Sequence, residues 1–409
     1  MKFLFDDESF SFETLRAAGF ACYGGAELGE VVSTASRITD GDEAAWLREW
    51  EATARRVHGI GSTCAAAGRR VSAREALLRA SNYYRTAEFY RRDHPADDPQ
   101  ARELSRLSRE TFSQAAELMD TPVRSVSIPY ADTTLPGYLY LVDDSGTPRP
   151  TVIFNSGFDS TLEESYFALA AGALARGYQV LAFDGPGQGA VIREQGLPFR
   201  PDWEAVITPV VDFALTVPEI DPDRIALFGY SLGGFLAARA AAFEHRVAAL
   251  ILDDGLFDYH GVHQRILPPF LSEWIAAGRD EEADHVAAMI MAFDTTVRWA
   301  LRNGPWTFGA ASPADYIRRT ADYTLADVIT EIQCPTLVLD AENDQFFRGE
   351  AQRVYAALTC PKDLITGTEA EGAGEHCHMG AMLLTHQRIF DWLDTTPAGL
   401  PVPARTAVA

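Results

Sequence analysis

The residue whose surroundings most clearly suggest chemistry is Ser231, which lies in the run FGYSLGGF at positions 228–235. Its flanking glycines form the pattern Gly-x-Ser-x-Gly, which alone is common, because glycine and serine often meet in turns and at helix caps. Here the β-rich run RIALFGYS precedes the serine, and the Ala-rich run LGGFLAARAAAF follows it. A strand, a sharp turn and a helix in this order expose a serine hydroxyl and direct helix N–H groups toward developing negative charge. We therefore interpret Ser231 as a nucleophile.

A serine nucleophile needs a general base and an acidic residue that orients the base. Asp344 follows the apolar run PTLVLD, in the loop where the acid of a Ser–acid–His series is expected. Glu342 is its nearest rival, whereas Asp340 lies at the strand end and is expected to be structural. Asp253 and Asp254, after the preceding predicted strand, are a second possible location of the acid.

The base is expected within the run EGAGEHCHMGA, where His376 and His378 are two residues apart in a glycine-bearing loop. One of them can serve Ser231 as general base, and the other then supports it or lies at the surface. A metal site is the alternative, formed by this loop together with His260 and His263. No Cys-x-x-Cys or His-Glu-x-x-His motif supports that alternative, so we predict neither a metal nor another cofactor.

Acyl transfer also requires two N–H donors for the negatively charged oxygen of the intermediate. The first is expected to be the main-chain N–H of Leu232, directly after the nucleophile. The second is expected in the run NSGFDS, where Gly157 permits a turn and the N–H of Phe158 is the candidate. The simpler interpretation of this run is a turn without a catalytic role.

The composition limits the classes of partner. The 409 residues carry a formal net charge of -23, so the surface repels nucleic acid and anionic lipid. The N-terminal run MKFLFDDESF lacks a sustained apolar segment, and no apolar run reaches the length of a membrane span. Five scattered cysteines suit free thiols in a reducing compartment. We therefore expect a cytoplasmic protein that binds a small molecule rather than nucleic acid or a membrane.

The elements that must position these residues follow an α/β pattern. Residues 1–120 contain helix-forming runs such as SAREALLRASNYYRTAEFYRR, which predict an N-terminal helical cap domain. Over 121–398, a predicted hairpin precedes short apolar runs that alternate with helical stretches, as in a mostly parallel sheet covered by helices. A helical insertion is expected at about 256–332 and a loose tail at 399–409.

Four runs occur in a fixed order along the chain: NSGFDSTLEES, AFDGPGQG, GYSLGGF and GEHCHMGA. Over roughly 125–395 they resemble the α/β-hydrolases related to 2,6-dihydroxypseudooxynicotine hydrolase and to fungal heptaketide chain-shortening hydrolases of pigment synthesis. The resemblance implies hydrolysis of a carbon–carbon bond in an acyl or polyketide side chain, at a site between the core and a helical cap, often in a homodimer. By motif it implies Ser231 as nucleophile, Asp344 as acid and His376 as base. The run NSGFDS departs from this group, whose members tend to have a Gly-Gly pair there.

The expected function is that of a serine hydrolase that cleaves a C–C or ester bond of an aromatic or polyketide-like small molecule. The same acyl-enzyme would serve a carboxylesterase or an acyltransferase, and a non-catalytic ligand-binding protein is a further alternative. Ring-bearing side chains of the N-terminal region are expected to form one wall of the substrate pocket. The possible substrate contacts, each more simply explained as a packing or surface residue, are Tyr83, Tyr84, Asp258, Tyr259 and His260.

Overall fold

Five helices precede the sheet in the computed structural model, which describes residues 2–396. They are α1 (Glu8–Gly19), α2 (Leu28–Ala35), α3 (Glu43–Ala66), α4 (Arg70–Glu88) and α5 (Pro99–Ala116). Short acidic side chains start several of them, because a carboxylate satisfies the free N–H groups of the first turn. Asp42 accepts from the N–H of Ala45 at the start of α3, and Asp98 accepts from the N–H of Gln100 at the start of α5. The helix-forming run SAREALLRASNYYRTAEFYRR lies mostly within α4.

The predicted hairpin and buried strands form one eight-stranded sheet. Its strands are β1 (Val123–Tyr130), β2 (Thr133–Tyr140), β3 (Arg149–Asn155), β4 (Gln179–Phe183), β5 (Ile220–Tyr230), β6 (Ala249–Asp253), β7 (Thr336–Ala341) and β8 (Lys362–Gly367). Their order is β1-β2-β4-β3-β5-β6-β7-β8, with β2 antiparallel to both its neighbours and all other pairs parallel. Every residue of β4, β6 and β7 is buried, which explains their uninterrupted apolar sequences. The carboxyl ends of β5, β6 and β7 are adjacent, so the residues that follow them converge.

Helices cover both faces of this sheet. Those that alternate with or follow the strands are α6 (Ala171–Leu174), α7 (Glu204–Ala214), α8 (Gly233–Ala241), α14 (Glu350–Ala357) and α15 (Met382–Thr395). On one face, Ile153 of β3 shares a core with Val210 of α7. On the other face, Phe154 packs in a core that includes Phe12 of α1 and Phe112 of α5. The N-terminal region therefore shares a hydrophobic core with the sheet.

The N-terminal region also has a core of its own. Trp46 and Trp50 lie on one face of α3, as their four-residue spacing predicts, and both are fully buried. Among residues 2–396, no helix is both long enough and apolar enough to cross a membrane. The predicted tail at 399–409 and the last two residues of the predicted core lie outside the described residues.

A second group of helices separates β6 from β7, where the sequence predicts an insertion. It consists of α9 (Tyr259–Ile266), α10 (Pro269–Ala276), α11 (Asp280–Met291), α12 (Thr295–Thr307) and α13 (Pro313–Arg319). The indole N–H of Trp299 donates to the carbonyl of Phe89 at 2.9 Å, and Arg298 pairs with Glu43 at 2.8 Å. The insertion is therefore in direct contact with the N-terminal region.

Candidate active site

Ser231 lies on a sharp turn between β5 and α8. Its φ is +58°, in the left-handed region that residues other than glycine rarely adopt, and its N–H donates to the carbonyl of Asp253 at 2.6 Å. The neighbouring glycines are required by close approach of the main chain. A Cβ at Gly229 would lie 2.2 Å from the carbonyl oxygen of Gly233, and one at Gly234 would lie 1.9 Å from that of Asp254. The predicted strand–turn–helix arrangement is therefore present.

Ser231, His376 and Asp344 form one hydrogen-bonded series. Nε2 of His376 lies 2.9 Å from Oγ of Ser231, and its Nδ1 lies 3.0 Å from Oδ2 of Asp344. The other oxygen of Asp344 accepts from the N–H groups of Phe346 at 2.7 Å and Phe347 at 3.0 Å, which fix the carboxylate. Burial alone would favour the neutral acid, but attraction to His376 and these hydrogen bonds hold the pKa of Asp344 well below its ordinary value. The geometry suits proton transfer from the serine hydroxyl to Nε2.

Asp254 is a second carboxyl group at the same imidazole. Its Oδ2 lies 2.9 Å from Nδ1 of His376 and accepts from the N–H of Cys377, also at 2.9 Å. Burial and the negative charge of Asp344 raise the pKa of Asp254 to about 7. Asp254, one of the two residues predicted as a second possible location of the acid, therefore also belongs to this site.

The remaining acidic candidates do not touch the imidazole of His376. Glu342 accepts from the N–H of Glu369 at 2.8 Å. Asp340 accepts from the side chain of Gln352 at 2.6 Å, consistent with a structural position at the strand end. Asp340 lies within β7 and Glu342 directly after it, whereas Asp344 lies further along the loop and reaches Nδ1 of His376.

His378 is buried behind the candidate base. Its Nδ1 lies 2.9 Å from Oδ1 of Asp253, and its Nε2 lies 3.1 Å from the carbonyl oxygen of Asp340. Burial opposes a charge on His378, but the adjacent Asp253 carboxylate outweighs this and raises the pKa of His378 to about 9. Cys377 and His378 both have left-handed backbone angles, with φ of +50° and +54°. His378 and Asp253 thus hold the tight turn that presents His376.

The segment predicted to complete an oxyanion hole lies against the serine turn. A Cβ at Gly157 would lie 2.8 Å from Cβ of Ser231 and 3.0 Å from the main-chain nitrogen of Leu232. Within residues 2–396, neither Leu232 nor Phe158 uses its main-chain N–H in a hydrogen bond. Both donors are therefore free for the oxygen of a bound acyl group.

Gln188 supports this segment, and the sequence alone gave no sign of that role. Its side-chain nitrogen donates to the carbonyl oxygens of Ser156 at 2.6 Å and Gly157 at 3.2 Å. Its side-chain oxygen accepts from the N–H of Gly185 at 2.9 Å. The run DGPGQG, which is part of one of the four runs that carry the resemblance, therefore fixes the position of the second candidate oxyanion donor.

A cavity of about 180 Å³ opens beside Ser231. The N-terminal region contributes Phe12 and Phe89 to its lining, and the insertion contributes Leu267 and Trp299. Further rings come from Phe158, Tyr259, Tyr316, Phe346 and Phe347. The cavity is thus a mostly apolar space that lies between the sheet and both helical segments.

One part of the cavity wall is a cluster of buried charges. Arg16 Nη1 lies 2.8 Å from Asp159 Oδ2, and Arg85 bonds Glu13 at 2.8 Å and Glu164 at 3.1 Å. Glu13, Arg16 and Asp159 face the cavity. The five residues come from three separate parts of the chain, so no local motif reveals them. They give the apolar cavity one polar end.

A family model described as "Alpha/beta hydrolase family" matches residues 152–388, which is more than half of the chain. The chain belongs to the α/β-hydrolase family. A second model, described as "Esterase FrsA-like", matches residues 37–255 and so includes most of the N-terminal helices of this α/β-hydrolase. The fold class predicted from the sequence is confirmed.

Related hydrolases match this α/β-hydrolase over nearly its whole length. The 20-hydroxy-prefusarin hydrolase FUS2 of Gibberella moniliformis is 38% identical over 96% of this chain and 97% of its own. The hydrolase LUC6 of Fusarium sp is 37% identical over the same shares. The crystal structure of 2,6-dihydroxy-pseudo-oxynicotine hydrolase has the same fold, with a TM-score of 0.72, 23% identity, and coverage of 94% of this chain and 97% of that one. The predicted resemblance is confirmed, and the chain is an enzyme of the hydrolase class.

Of the predicted substrate contacts on α9 of this hydrolase, Tyr259 lines the cavity and its neighbours do not. Asp258 instead caps α9, where it accepts from the N–H of Gly261 at 2.9 Å. His260 turns toward α13, with Nδ1 3.0 Å from Oγ1 of Thr320. On α9, His263, one turn after Tyr259, also lines the cavity, whereas His260, directly after Tyr259, does not.

Tyr83 and Tyr84 do not line the cavity either. The hydroxyl of Tyr83 donates to Glu30 at 3.0 Å, and that of Tyr84 lies 3.1 Å from Nδ1 of His58. Both rings are buried because this face of α4 packs against α2 and α3. The N-terminal wall is supplied by α1, which the sequence did not single out, together with Phe89 directly after α4.

The metal grouping considered from the sequence is not formed. His260 and His263 lie on α9, where His263 Nε2 is 3.0 Å from the hydroxyl of Tyr316. In the described part of the chain, the groups with suitable donor spacing are Asp254 with His376 and Cys377, and Asp253 and Asp254 with His378. In both groups the histidine Nδ1 already lies within hydrogen-bond distance of a carboxylate.

Proposed function

We propose that this α/β-hydrolase uses Ser231 as its nucleophile, His376 as general base and Asp344 as the acid that orients the base. The observation that carries this proposal is the series of contacts from Ser231 to His376 at 2.9 Å and from His376 to Asp344 at 3.0 Å. A serine hydroxyl alone is a weak nucleophile, and a base within hydrogen-bond distance activates it. An acid at the other imidazole nitrogen selects the tautomer in which Nε2 can accept the proton.

In the proposed reaction, Ser231 Oγ attacks the acyl carbon of the substrate while its proton moves to Nε2 of His376. The carbonyl oxygen becomes negatively charged and accepts hydrogen bonds from the N–H groups of Leu232 and Phe158. Collapse of this intermediate breaks the bond to the leaving group, which takes the proton from the imidazolium. A water molecule, deprotonated by His376, then attacks the acyl-serine, and the carboxylic acid is released as His376 returns the proton to Ser231 Oγ.

The cavity supports a small, ring-bearing or unsaturated substrate with one polar group. Its lining is dominated by rings such as Phe158, Tyr259 and Trp299, and its polar end contains Arg16 and Asp159. Apolar pockets with a few polar groups at an interface between structural layers are typical of small-molecule sites. Together with the near-full-length similarity to FUS2, which is named for its action on 20-hydroxy-prefusarin, this favours an aromatic or polyketide-like molecule.

The cleaved bond is an ester or an activated carbon–carbon bond adjacent to a carbonyl. Both reactions proceed through the same acyl-serine and differ in the leaving group. An alkoxide leaves an ester, whereas C–C cleavage releases a carbanion that must be stabilised as an enolate and protonated at carbon. The imidazolium of His376 is placed to supply that proton in either case.

The experiment that tests this function compares the wild type with Ser231→Ala in the hydrolysis of p-nitrophenyl butyrate. We expect Ser231→Ala to lower kcat by about 10³-fold or more. Ser165→Ala is the matched control, because Ser165 is buried, bonds Tyr140 at 3.1 Å and does not line the cavity. It should hydrolyse the ester as the wild type does. Equal rates for Ser231→Ala and the wild type would reject the acyl-enzyme.

A matched pair of substrates distinguishes the bond that is cleaved. A phenyl ester and the corresponding β-diketone, with the same acyl group, should give the same acyl-serine but different leaving groups. Faster turnover of the diketone would support C–C hydrolysis, and turnover of the ester alone would support a carboxylesterase. Acyl transfer to an added alcohol in preference to water would indicate an acyltransferase.

A further inference from the structure

Two carboxyl groups share one imidazole nitrogen in this site. Asp344 Oδ2 lies 3.0 Å and Asp254 Oδ2 lies 2.9 Å from Nδ1 of His376. That nitrogen carries at most one hydrogen, so it cannot make a full hydrogen bond to both acids at once. All three groups are buried, which makes two adjacent negative charges costly. When the imidazole is neutral, one of the two acids is therefore favoured to keep its proton.

The main chain indicates which acid keeps the negative charge. Asp344 accepts two main-chain hydrogen bonds, from Phe346 and Phe347, whereas Asp254 accepts one, from Cys377 at 2.9 Å. Within residues 2–396, Oδ1 of Asp254 is buried without a hydrogen-bond partner. Hydrogen bonds to a carboxylate favour its ionised form, and an unpaired buried oxygen disfavours it. Asp344 is therefore the better anion and Asp254 the better carrier of a proton.

The pKa values of the two acids agree with this assignment of the negative charge to Asp344 and the proton to Asp254. Burial and the charge of Asp344 raise the pKa of Asp254 to about 7, whereas the pKa of Asp344 is held well below its ordinary value. Burial opposes a charge on His376, but Cys377 and both carboxylates together raise the pKa of His376 well above its ordinary value. Ionised Asp254 thus strengthens the hold of His376 on its proton.

We propose that Asp254 is a positioning residue that holds the His376 turn and controls when His376 can accept a proton, an inference that rests on the proposed function. Neutral Asp254 leaves His376 with one anionic partner, Asp344, and accepts the N–H of Cys377. Ionised Asp254 places a second anion at Nδ1. The imidazole then retains its proton and cannot take one from Ser231.

The charged and titratable groups that face Asp254 come from three parts of the chain. They are Asp253 at the end of β6, Asp344 after β7, and His376, Cys377 and His378 before α15. Helix α8 places Gly234, which has no side chain, against the main chain of Asp254. Since His378 is paired with Asp253 at 2.9 Å, their charges offset one another. Asp344 and His376 therefore dominate the electrostatic environment of Asp254.

The experiment compares Asp254→Asn, Asp254→Ala and Asp344→Asn across the pH range in which imidazole titrates. Two rates are followed: kcat/KM for p-nitrophenyl butyrate and the second-order rate of labelling by a fluorophosphonate, which needs only the activated serine. Asparagine imitates the neutral acid, because its oxygen can accept the Cys377 N–H and its NH₂ group can donate to Asp344. Thermal melting of each variant reports whether it folds.

For Asp254→Asn we expect the acidic limb of both profiles to move to lower pH by about one unit or more, because one of the anions that stabilise the imidazolium is gone. The maximal kcat/KM should fall by less than about tenfold, the worth of one ordinary hydrogen bond. The maximal kcat/KM of Asp254→Ala should fall further, because this variant loses the acceptor for the Cys377 N–H. That of Asp344→Asn should fall on the order of 10⁴-fold, as expected when the acid that selects the tautomer is removed.

The proposal would be overturned if the acidic limb of the pH profile stayed in place in Asp254→Asn. It would also be overturned if kcat/KM of Asp254→Asn fell as far as that of Asp344→Asn, because Asp254 would then be the orienting acid. Equal rates for Asp254→Ala and Asp254→Asn would overturn its role in holding the turn. If Asp254→Ala does not fold, Asp254→Asn alone decides. Asp340→Asn is the matched control and should leave the limb in place. Failure of the proposed function is distinguishable, since Ser231→Ala would then label and turn over like the wild type.

Discussion

The side-chain nitrogen of Gln188 donates a 2.6 Å hydrogen bond to the carbonyl oxygen of Ser156. This bond ties the loop after β4 to the segment that ends in Phe158, the second candidate oxyanion donor. Gln188 is fully buried and does not line the cavity, so water cannot readily replace its contacts. The orientation of a group proposed to stabilise the transition state therefore depends on a residue that does not touch the substrate.

Gln188→Leu should remove these hydrogen bonds while keeping a similar volume. We expect kcat to fall by about 10²-fold with little change in KM, because an oxyanion contact strengthens mainly in the transition state. Steady-state kinetics with p-nitrophenyl butyrate measure both constants. The exposed Gln195 provides a control, and Gln195→Leu should behave as the wild type. A Gln188→Leu enzyme with unchanged kcat and raised KM would contradict this account of the segment.

The two histidines of the tight turn should have separable effects. His376→Ala should lower kcat/KM by about 10³-fold or more, as expected when a general base is lost. His378→Ala should act mainly on stability and cost about 3–5 kcal/mol, because it leaves the buried carboxylate of Asp253 unpaired. Denaturant unfolding and kinetics on the two variants decide the assignment. A larger loss of kcat/KM in His378→Ala than in His376→Ala would reverse the roles.

The contribution of His378 to stability should depend on pH. Its pKa is raised from 6.5 to about 9 in the folded protein, so its stabilisation is fully present below 6.5 and disappears as the pH rises through about 9. The difference in unfolding free energy between the wild type and His378→Ala should therefore shrink over this window. A difference that stays constant across it would mean that His378 is not protonated beside Asp253.

Asp254 should show a dependence of the same sign, in a lower pH range. Its pKa is raised from 3.8 to about 7, so the folded protein binds a proton that the unfolded chain releases, and stability falls as the pH rises across this window. Asn does not titrate. The melting temperature of Asp254→Asn relative to the wild type should therefore increase from about pH 4 to about pH 7. A relative melting temperature that decreases over this range would show that Asp254 is ionised in the folded protein.

Two tryptophans test which part of the helical layer meets the substrate. Trp299 lines the cavity and donates its indole N–H to the carbonyl of Phe89, whereas Trp46 donates to Thr86 and is buried away from the cavity. Trp299→Ala should raise KM about tenfold through lost apolar contact. Trp46→Ala should cost about 3–5 kcal/mol of stability and leave KM unchanged. A raised KM in Trp46→Ala together with an unchanged KM in Trp299→Ala would contradict the assignment of Trp299 to the substrate pocket.

The fold and the candidate series around Ser231 could be predicted from sequence because both depend on local order. A buried strand, a glycine-flanked serine and a helix leave few alternatives for the turn, and Asp344 follows its own strand in the same way. The sequence favours Asp344 as the acid, but it does not reveal that Asp254 meets the same imidazole nitrogen. Both follow buried strands, and only the main-chain hydrogen bonds formed in the folded structure distinguish them.

The substrate wall was harder to predict, because it depends on which face of each helix meets the cavity. The rings of Tyr83 and Tyr84 pack inside the N-terminal region, while Phe12 of α1 reaches the cavity. Arg16 and Asp159 meet across more than a hundred residues of sequence, so their pairing depends entirely on tertiary structure. The sequence indicated that rings were available but not which ones face the ligand.

The most direct test of the account is to identify the residue that carries the acyl group. The protein is mixed with p-nitrophenyl butyrate, quenched in acid within one turnover, digested and analysed by mass spectrometry. We predict a butyryl group on Ser231, in the peptide that contains FGYSLGGF, and its absence from Ser231→Ala treated in the same way. A butyryl group on another residue, or turnover by Ser231→Ala at the wild-type rate, would contradict the central claim.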